Sequence, residues 1–282
     1  MCSPPERFYR FGSVSVRLVS PAFNETERLR QFSCAPCAPD FSVVIAPTEG
    51  ISVPSGEPRR RGDIDLYASS GGIAAVGIAR NGKPLWSARH TDQGVSALFD
   101  VSAGVLLTSY VVCRIMDLPA LLLKKGALVL HSSFIEKSGL AILFAAPKRT
   151  GKSTQAALWR QYAGARIING DRALLELRGG VPYACGLPYA GTSEFCEPGA
   201  YPLRAVVLLS QGDENSVAEA TKAQAFRALL EGCAFYSGEP CAVDRFCAAA
   251  EPCLSAVPFY TLRCRPDESA VRCLQQALEK DQ

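Results

Sequence analysis

Apolar residues alternate with polar ones through Phe8 to Val19, at Val14, Val16 and Leu18. That period of two belongs to a half-buried strand. Short apolar runs come next at Phe41 to Ile45, Leu66 to Ala68, Ile73 to Ile78, Pro84 to Ser87 and Ala97 to Val101. They are separated by a Pro/Gly/Arg-rich stretch from Pro47 to Gly62 and by the turn pairs Gly71-Gly72 and Asn81-Gly82. Strands of this length with such punctuation predict a small antiparallel sheet. A helical stretch from about Ser102 to Lys125, broken near Pro119, closes this part.

Beyond Lys125 the pattern changes to alternating strands and helices, the signature of a layered α/β domain. Strands are expected at Ala127 to Phe134, Leu140 to Ala145, Arg166 to Ile168, Ala173 to Leu177, Ala205 to Leu209 and Val257 to Cys264. Helical spacing covers Lys152 to Tyr162, Val217 to Glu231, Asp244 to Ala250 and Asp267 to Glu279. The fold class is therefore α/β, with a smaller strand-rich N-terminal domain over residues 1–125 and a second domain over 126–282.

About half of the 282 residues are apolar, enough for packed cores. The net charge is only +3, and Arg59, Arg60 and Arg61 form the one compact basic run, read as a solvated loop tip. Neither observation suggests a nucleic-acid surface. The most apolar long stretch, Val101 to Leu123, carries Arg114, Asp117 and Pro119 and is a poor bilayer span. Met1 to Arg10 lacks the apolar core of a secretory signal. These features predict a soluble, cytoplasmic protein without a membrane partner. The twelve cysteines are dispersed, which predicts reduced thiols rather than a disulfide framework. Cys34 and Cys37 make one C-x-x-C pair, with no second pair or histidine nearby to complete a metal site.

The segment with the clearest chemistry is Ala146-Pro147-Lys148-Arg149-Thr150-Gly151-Lys152-Ser153-Thr154. It comes after the apolar strand ending at Ala145 and opens a helix. Strand, loop and helix in that order are the context a phosphate-binding loop requires. Backbone N–H groups of such a loop and of the helix start point at phosphates. Lys152 then reaches the β- and γ-phosphates of ATP, and the Ser153 hydroxyl ligates Mg²⁺. Ala146 replaces the usual first glycine, and Arg149 stands where glycine is frequent, so the loop must tolerate a side chain there. Two segments flank it. Leu128-Val129-Leu130-His131-Ser132-Ser133 ends a strand just before the loop strand. Asn169-Gly170-Asp171-Arg172 comes after the loop helix and puts a carboxylate at a strand end, where it can meet Mg²⁺.

The run from His131 through Gly151-Lys152-Ser153 to Asp171 resembles the catalytic core of HPr kinase/phosphorylase, a relative in fold of ATP-type phosphoenolpyruvate carboxykinase. It looks closer still to uncharacterised bacterial HPr-kinase-like proteins. Pro188-Tyr189-Ala190-Gly191-Thr192-Ser193, Pro202 to Leu209 and Val257 to Leu262 also fit that set, so the resemblance spans about Ala127 to Leu278. It implies ATP and Mg²⁺ as cofactors, with Lys152, Asp171 and His131 as catalytic residues. Residues 146–154 would bind the nucleotide, and Ser153 and Asp171 the metal. It implies transfer of the γ-phosphoryl group to a hydroxyl, on a serine of a protein or peptide or on a small metabolite, and a homo-oligomer. The N-terminal domain, with its separate composition, is read as the part that recruits this acceptor. Glu194 and Arg204 are candidates for the acceptor side, and Arg172 for a phosphate. The family carries two adjacent aspartates at the turn, and the first falls on Gly170 here. One carboxylate must then cover both roles, or the chain is a nucleotide-binding scaffold. No residue supports phosphorylase activity or HPr itself as the substrate. A carboxykinase-like metal site cannot be assembled from His90 and His131 alone.

Overall fold

The structure is a computed structural model that describes residues 5–69, 72–191, 193–235 and 241–280. It is mixed α/β, with two large sheets. The chain forms two compact units, Met1–Lys125 with Tyr236–Ala242, and Gly126–Phe235 with Val243–Gln282.

In the first unit the strands are β1 (Glu6–Phe11), β2 (Val14–Val19), β3 (Phe41–Thr48), β4 (Arg59–Arg61), β5 (Ile64–Ser69), β6 (Gly72–Ile78), β7 (Pro84–Thr91) and β8 (Gly94–Asp100). They make one sheet in the order β1-β2-β3-β8-β7-β6-β5-β4. The sequence pattern predicted an all-antiparallel sheet, but β3 runs parallel to both β2 and β8. Periodicity reports burial and carries no information on strand direction, which is set by distant partners. The run read as one strand over Phe8 to Val19 is a hairpin turning at Gly12 (φ 60°). The basic run Arg59–Arg61, read as a loop tip, is the edge strand β4. Gly71 of the Gly71-Gly72 turn lies outside the described residues.

Helix α1 (Glu27–Arg30) is a single turn, and α2 (Ser109–Met116) and α3 (Leu118–Leu123) divide the predicted long helix. The break is at Asp117, with φ 41°, and Pro119 sits inside the first turn of α3, where its missing N–H costs nothing. On β6, Gly77 pairs with Trp86 of β7. The indole lies against Gly77 so closely that a Cβ there would be 2.1 Å from its ring.

The second unit holds β9 (Leu128–Lys137), β10 (Leu140–Ala145), β11 (Arg166–Asn169), β12 (Arg172–Arg178), β13 (Val181–Cys185), β14 (Ala200–Gln211), β15 (Ser216–Glu219) and β16 (Phe259–Cys264). Its helices are α4 (Lys152–Ala163), α5 (Lys222–Gly232), α6 (Ala242–Ala256) and α7 (Glu268–Lys280). Residues 217–219, expected to be helical, belong to β15, which is antiparallel to β16. Helix α5 begins only at Lys222, where Thr221 and Gln224 form a reciprocal capping box.

Strand β9 serves two sets of neighbours. Leu128 to His131 pair with β12, whereas Ser132 to Lys137 pair with β10. Strand β14 divides in a similar way among β13, β10 and β16. The β10, β14 and β16 strands run parallel, and α4 and α7 pack on them through Trp159, Ala156, Val271, Leu274 and Leu278. Trp159 is 2% exposed and rests against Phe144 with ring centroids 6.2 Å apart. Burying such a side chain stabilises by roughly 2–3 kcal/mol, which anchors α4 and the loop before it.

Replacing Gly77 with alanine is expected to push Trp86 off its seat and destabilise the first unit by about 1–3 kcal/mol, the usual cost of overpacking. Urea denaturation followed by Trp fluorescence measures this, and an unchanged midpoint contradicts the contact.

Candidate functional site

The fork in β9 fixes the site. His131 pairs with Arg172 of β12 and Ser132 with Ala145 of β10. One residue step along β9 therefore brings together the start of β12, just after Asp171, and the end of β10, just before the 146–151 loop. The backbone carbonyl of Asp171 accepts a hydrogen bond from the Ser132 N–H at 3.1 Å. It also lies 2.9 Å from Nδ1 of His131. A carbonyl can only accept, so Nδ1 is the protonated nitrogen and Nε2 of the neutral ring carries the lone pair. The Asp171 carboxylate is 3.5 Å from the same Nδ1 and 3.4 Å from Nε of Arg172. Burial lowers the His131 pKa below its ordinary value, Lys152 and Arg172 add to this, and Asp171 opposes it. The ring is thus mostly neutral near pH 7.

Asn169 is fully buried and sets the turn that carries Asp171. Its Nδ2 donates to the carbonyls of Leu187 and Tyr189, both at 2.8 Å. Its Oδ1 accepts from the N–H groups of Asp171 and Arg172, both at 2.9 Å. All the main capacities of the amide are used, so the turn is locked to the segment 187–189. Gly170 has no room for a side chain, because a Cβ there would lie 2.1 Å from Oγ and 2.4 Å from Cβ of Ser193. The volume that an aspartate would need is filled by a serine from the next segment. Gly191, at φ 54°, lies against the Asp171 carboxylate, 2.7 Å from Oδ1 to an added Cβ. Thr192 lies outside the described residues.

The loop between β10 and α4 closes on Lys152. This side chain is 8% exposed, and its ammonium donates to the carbonyls of Ala146 (2.8 Å) and Pro147 (3.0 Å). Two of its three donors are used and one remains. Burial pushes the Lys152 pKa down, Lys148 acts in the same direction, and Asp171 opposes. The charge of Asp171 thus acts on both Lys152 and His131, the other two residues expected to be catalytic. Arg149 takes the left-handed conformation at φ 64°, and Gly151 has φ 112°. For an arginine this costs roughly 1–2 kcal/mol. No side chain caps the start of α4, and the first helical bond inside it is from Gln155 N–H to the Gly151 carbonyl, at 2.8 Å. The amides of Lys152, Ser153 and Thr154 therefore have no partner within the helix, and the hydroxyl-bearing Ser153 and Thr154 are exposed.

A pocket of about 780 Å³ opens beside this helix start, at the carboxyl ends of β14 and β16. Arg149, Lys152, Gln155, Asp213, Arg263 and Arg265 are among the residues that line it. Crevices at the carboxyl ends of parallel strands are the usual ligand sites of α/β sheets. Four cations face one carboxylate there. Gln155 is 2% exposed, and its Oε1 is a buried acceptor with no hydrogen-bond partner, while Nε2 reaches Sγ of Cys264 at 3.2 Å. Sequence reasoning missed Arg263, Arg265 and Gln155. The two arginines lie on β16 and just past its end, far along the chain from the loop, so no local signal links them to it. His131 and Asp171 lie outside the pocket lining, and Lys152 is common to both groups.

Other expectations resolve differently. Arg204, expected on the acceptor side, donates to the Leu278 carbonyl and ties α7 to β14. Glu194 is exposed on the segment after Ser193. Arg172, besides its ion pair, sits over the Tyr189 ring at 5.9 Å. Among the described residues no group of three His, Cys, Asp or Glu side chains is placed to hold a metal ion, and no helix is long and apolar enough to cross a membrane.

Two of the comparisons with known proteins returned nothing: no family model matches the chain, and no curated protein matches it. Among solved structures, the Hpr(Ser) kinase/phosphatase from Coxiella burnetii is similar to it at 12% identity and a TM-score of 0.33, over 54% of this chain and 98% of that one.

Proposed function

We propose that the protein is an ATP-dependent phosphotransferase that moves the γ-phosphoryl group to a hydroxyl, on a serine of a protein or peptide or on a small metabolite. The observation that carries this reading is the position of Lys152. It lines a wide cationic pocket, and its charge also acts on His131 and is opposed by Asp171. A triphosphate in the pocket would present its terminal phosphate to the third Lys152 donor and to the amides at the start of α4. The Ser153 hydroxyl and the Asp171 carboxylate are the groups that would hold Mg²⁺, which supplies charge neutralisation at the phosphates when bound.

The residues of the chain have distinct tasks in this scheme. Lys152 and the loop amides stabilise charge on the transferred group, and positioning supplies most of the rate. The Asp171 carboxylate accepts the hydroxyl proton; alternatively Nε2 of His131 accepts it, its lone pair being free because Nδ1–H is donated to the Asp171 carbonyl, and the ring then carries the charge beside the Asp171 carboxylate. Asn169 keeps Asp171 in place. In a second reading, a nucleotide-binding scaffold, the triphosphate stabilises the fold and no transfer occurs. One observation favours it: Ser193 fills the space at Gly170, leaving a single carboxylate at the turn.

Millimolar Mg-ATP is expected to raise the melting temperature of the wild type by several degrees. Saturation at 100 times Kd adds about 2.7 kcal/mol. Lys152→Ala is expected to lose this shift, and an equal shift in the variant sinks the assignment of the loop. A separate experiment distinguishes enzyme from scaffold, using labelled ATP and a lysate of the native organism as the source of acceptor. Asp171→Asn preserves the backbone bonds that hold the turn, so the variant should fold. Its transfer is expected to fall about a hundredfold or more, the scale of a lost general base or charge-stabilising group. Equal labelling by both proteins makes Asp171 structural, and no labelled acceptor with ATP binding intact leaves the scaffold.

A further inference from the structure

The first unit has a second pocket, of about 560 Å³, between the β6–β7 hairpin and the start of α2. Its buried wall includes Leu85 and Trp86, with Ile78 beside them, and Val105 and Tyr110 form the outer lip. Trp86 is held flat by Gly77, which has no side chain to displace it. The volume falls in the range of sites that enclose a drug-sized ligand, and a largely apolar lining with a few polar groups is typical of such sites.

Two further observations point to what it takes. Exposed large apolar residues continue along its lip: Val105, Leu106 and Tyr110 are between 40% and 74% exposed and fall within six consecutive positions. Soluble surfaces rarely cluster apolar groups in this way unless something binds there. The charges at the rim are uneven. Asp63 is neutralised by Arg114, which also lies 5.8 Å from the Tyr110 ring. Arg80, at the tip of the hairpin, is exposed and makes no ion pair among the described residues. The site therefore combines an apolar well, an apolar lip extending beyond it, and one excess positive charge.

We infer that this pocket binds an extended peptide segment with an apolar anchor residue flanked by carboxylates. The anchor enters the well over Trp86, the backbone runs along the lip at Val105, Leu106 and Tyr110, and a carboxylate meets Arg80. That this peptide flanks the phosphorylated hydroxyl rests on the phosphotransferase reading. Peptide binding itself does not, so its failure leaves that reading untouched.

The chain has two tryptophans, Trp86 in this pocket and Trp159 in the core of the other unit, so fluorescence of the full-length protein reports the site. The probe is the peptide acetyl-Ser-Glu-Leu-Glu-Ser-amide, titrated without nucleotide. A saturable emission change is expected in the wild type and in Trp159→Phe, and none in Trp86→Phe. Replacing both glutamates of the probe with lysine, or Arg80 with glutamate, is expected to weaken binding roughly threefold to fivefold, the scale of an exposed ion pair. Combining the two is expected to recover part of the loss. Tyr110→Ala, at an exposed position that the fold does not need, is expected to weaken binding as well. No saturable change overturns the site. Binding that ignores the charge swaps overturns the acidic-peptide assignment in favour of an apolar small molecule.

Discussion

The Asp171 carbonyl, accepting from Ser132 N–H and His131 Nδ1, is the bond on which the arrangement of the site depends. It sits where β9 passes from β12 to β10. It closes the step between the two ladders that tie β12 and β10 to β9. The same bond selects the tautomer of His131. The backbone geometry around Asp171 and the tautomer of His131 thus stem from a single change of strand partner. The cost of leaving that carbonyl unsatisfied, about 1–3 kcal/mol for a buried group, indicates how strongly the arrangement is enforced.

Charge around this bond is unbalanced. Lys148, Lys152 and Arg172 act on a site with one nearby carboxylate, and Arg149, Arg263 and Arg265 line the adjoining pocket. Unit charges 4 Å apart in such partly buried surroundings interact by about 4 kcal/mol. A group carrying several negative charges is therefore the natural complement of the region. Burial of Lys152 sharpens this, because a desolvated ammonium gains more from a phosphate than an exposed one does. The strained backbone at Arg149 fits the same picture, since it belongs to the loop that encloses the ammonium.

Much of the site could be read from local sequence. The apolar strand ending at Ala145, the Gly151-Lys152-Ser153 turn and the helix after it are contiguous, and contiguous signals survive without knowledge of the fold. Asp171 was legible as a carboxylate beside a strand end, whereas His131, read at a strand end, lies inside β9, which runs on to Lys137. The pocket walls from Arg263 and Arg265 were not, because their place depends on β16 lying parallel to β14. The role of Ser193 was hidden for a related reason. Gly170 looked like a missing acid, and only the packing of the 187–195 segment shows the space already filled. Residues 217–219 of β15 were read as helix although Thr221 and Gln224 spell a capping box. There the local signal was present and the apolar spacing overrode it. Strand direction in the first sheet depended wholly on non-local pairing.

The most direct test of the central claim is a crystal structure with Mg²⁺ and a non-hydrolysable ATP analogue. The account predicts phosphates on the amides of residues 149–154 and on the Lys152 ammonium. It places the nucleoside in the pocket beside Arg263 and Arg265, and the terminal phosphate on the side of Asp171 and His131. An analogue bound elsewhere, or one whose terminal phosphate points away from Asp171, would contradict it.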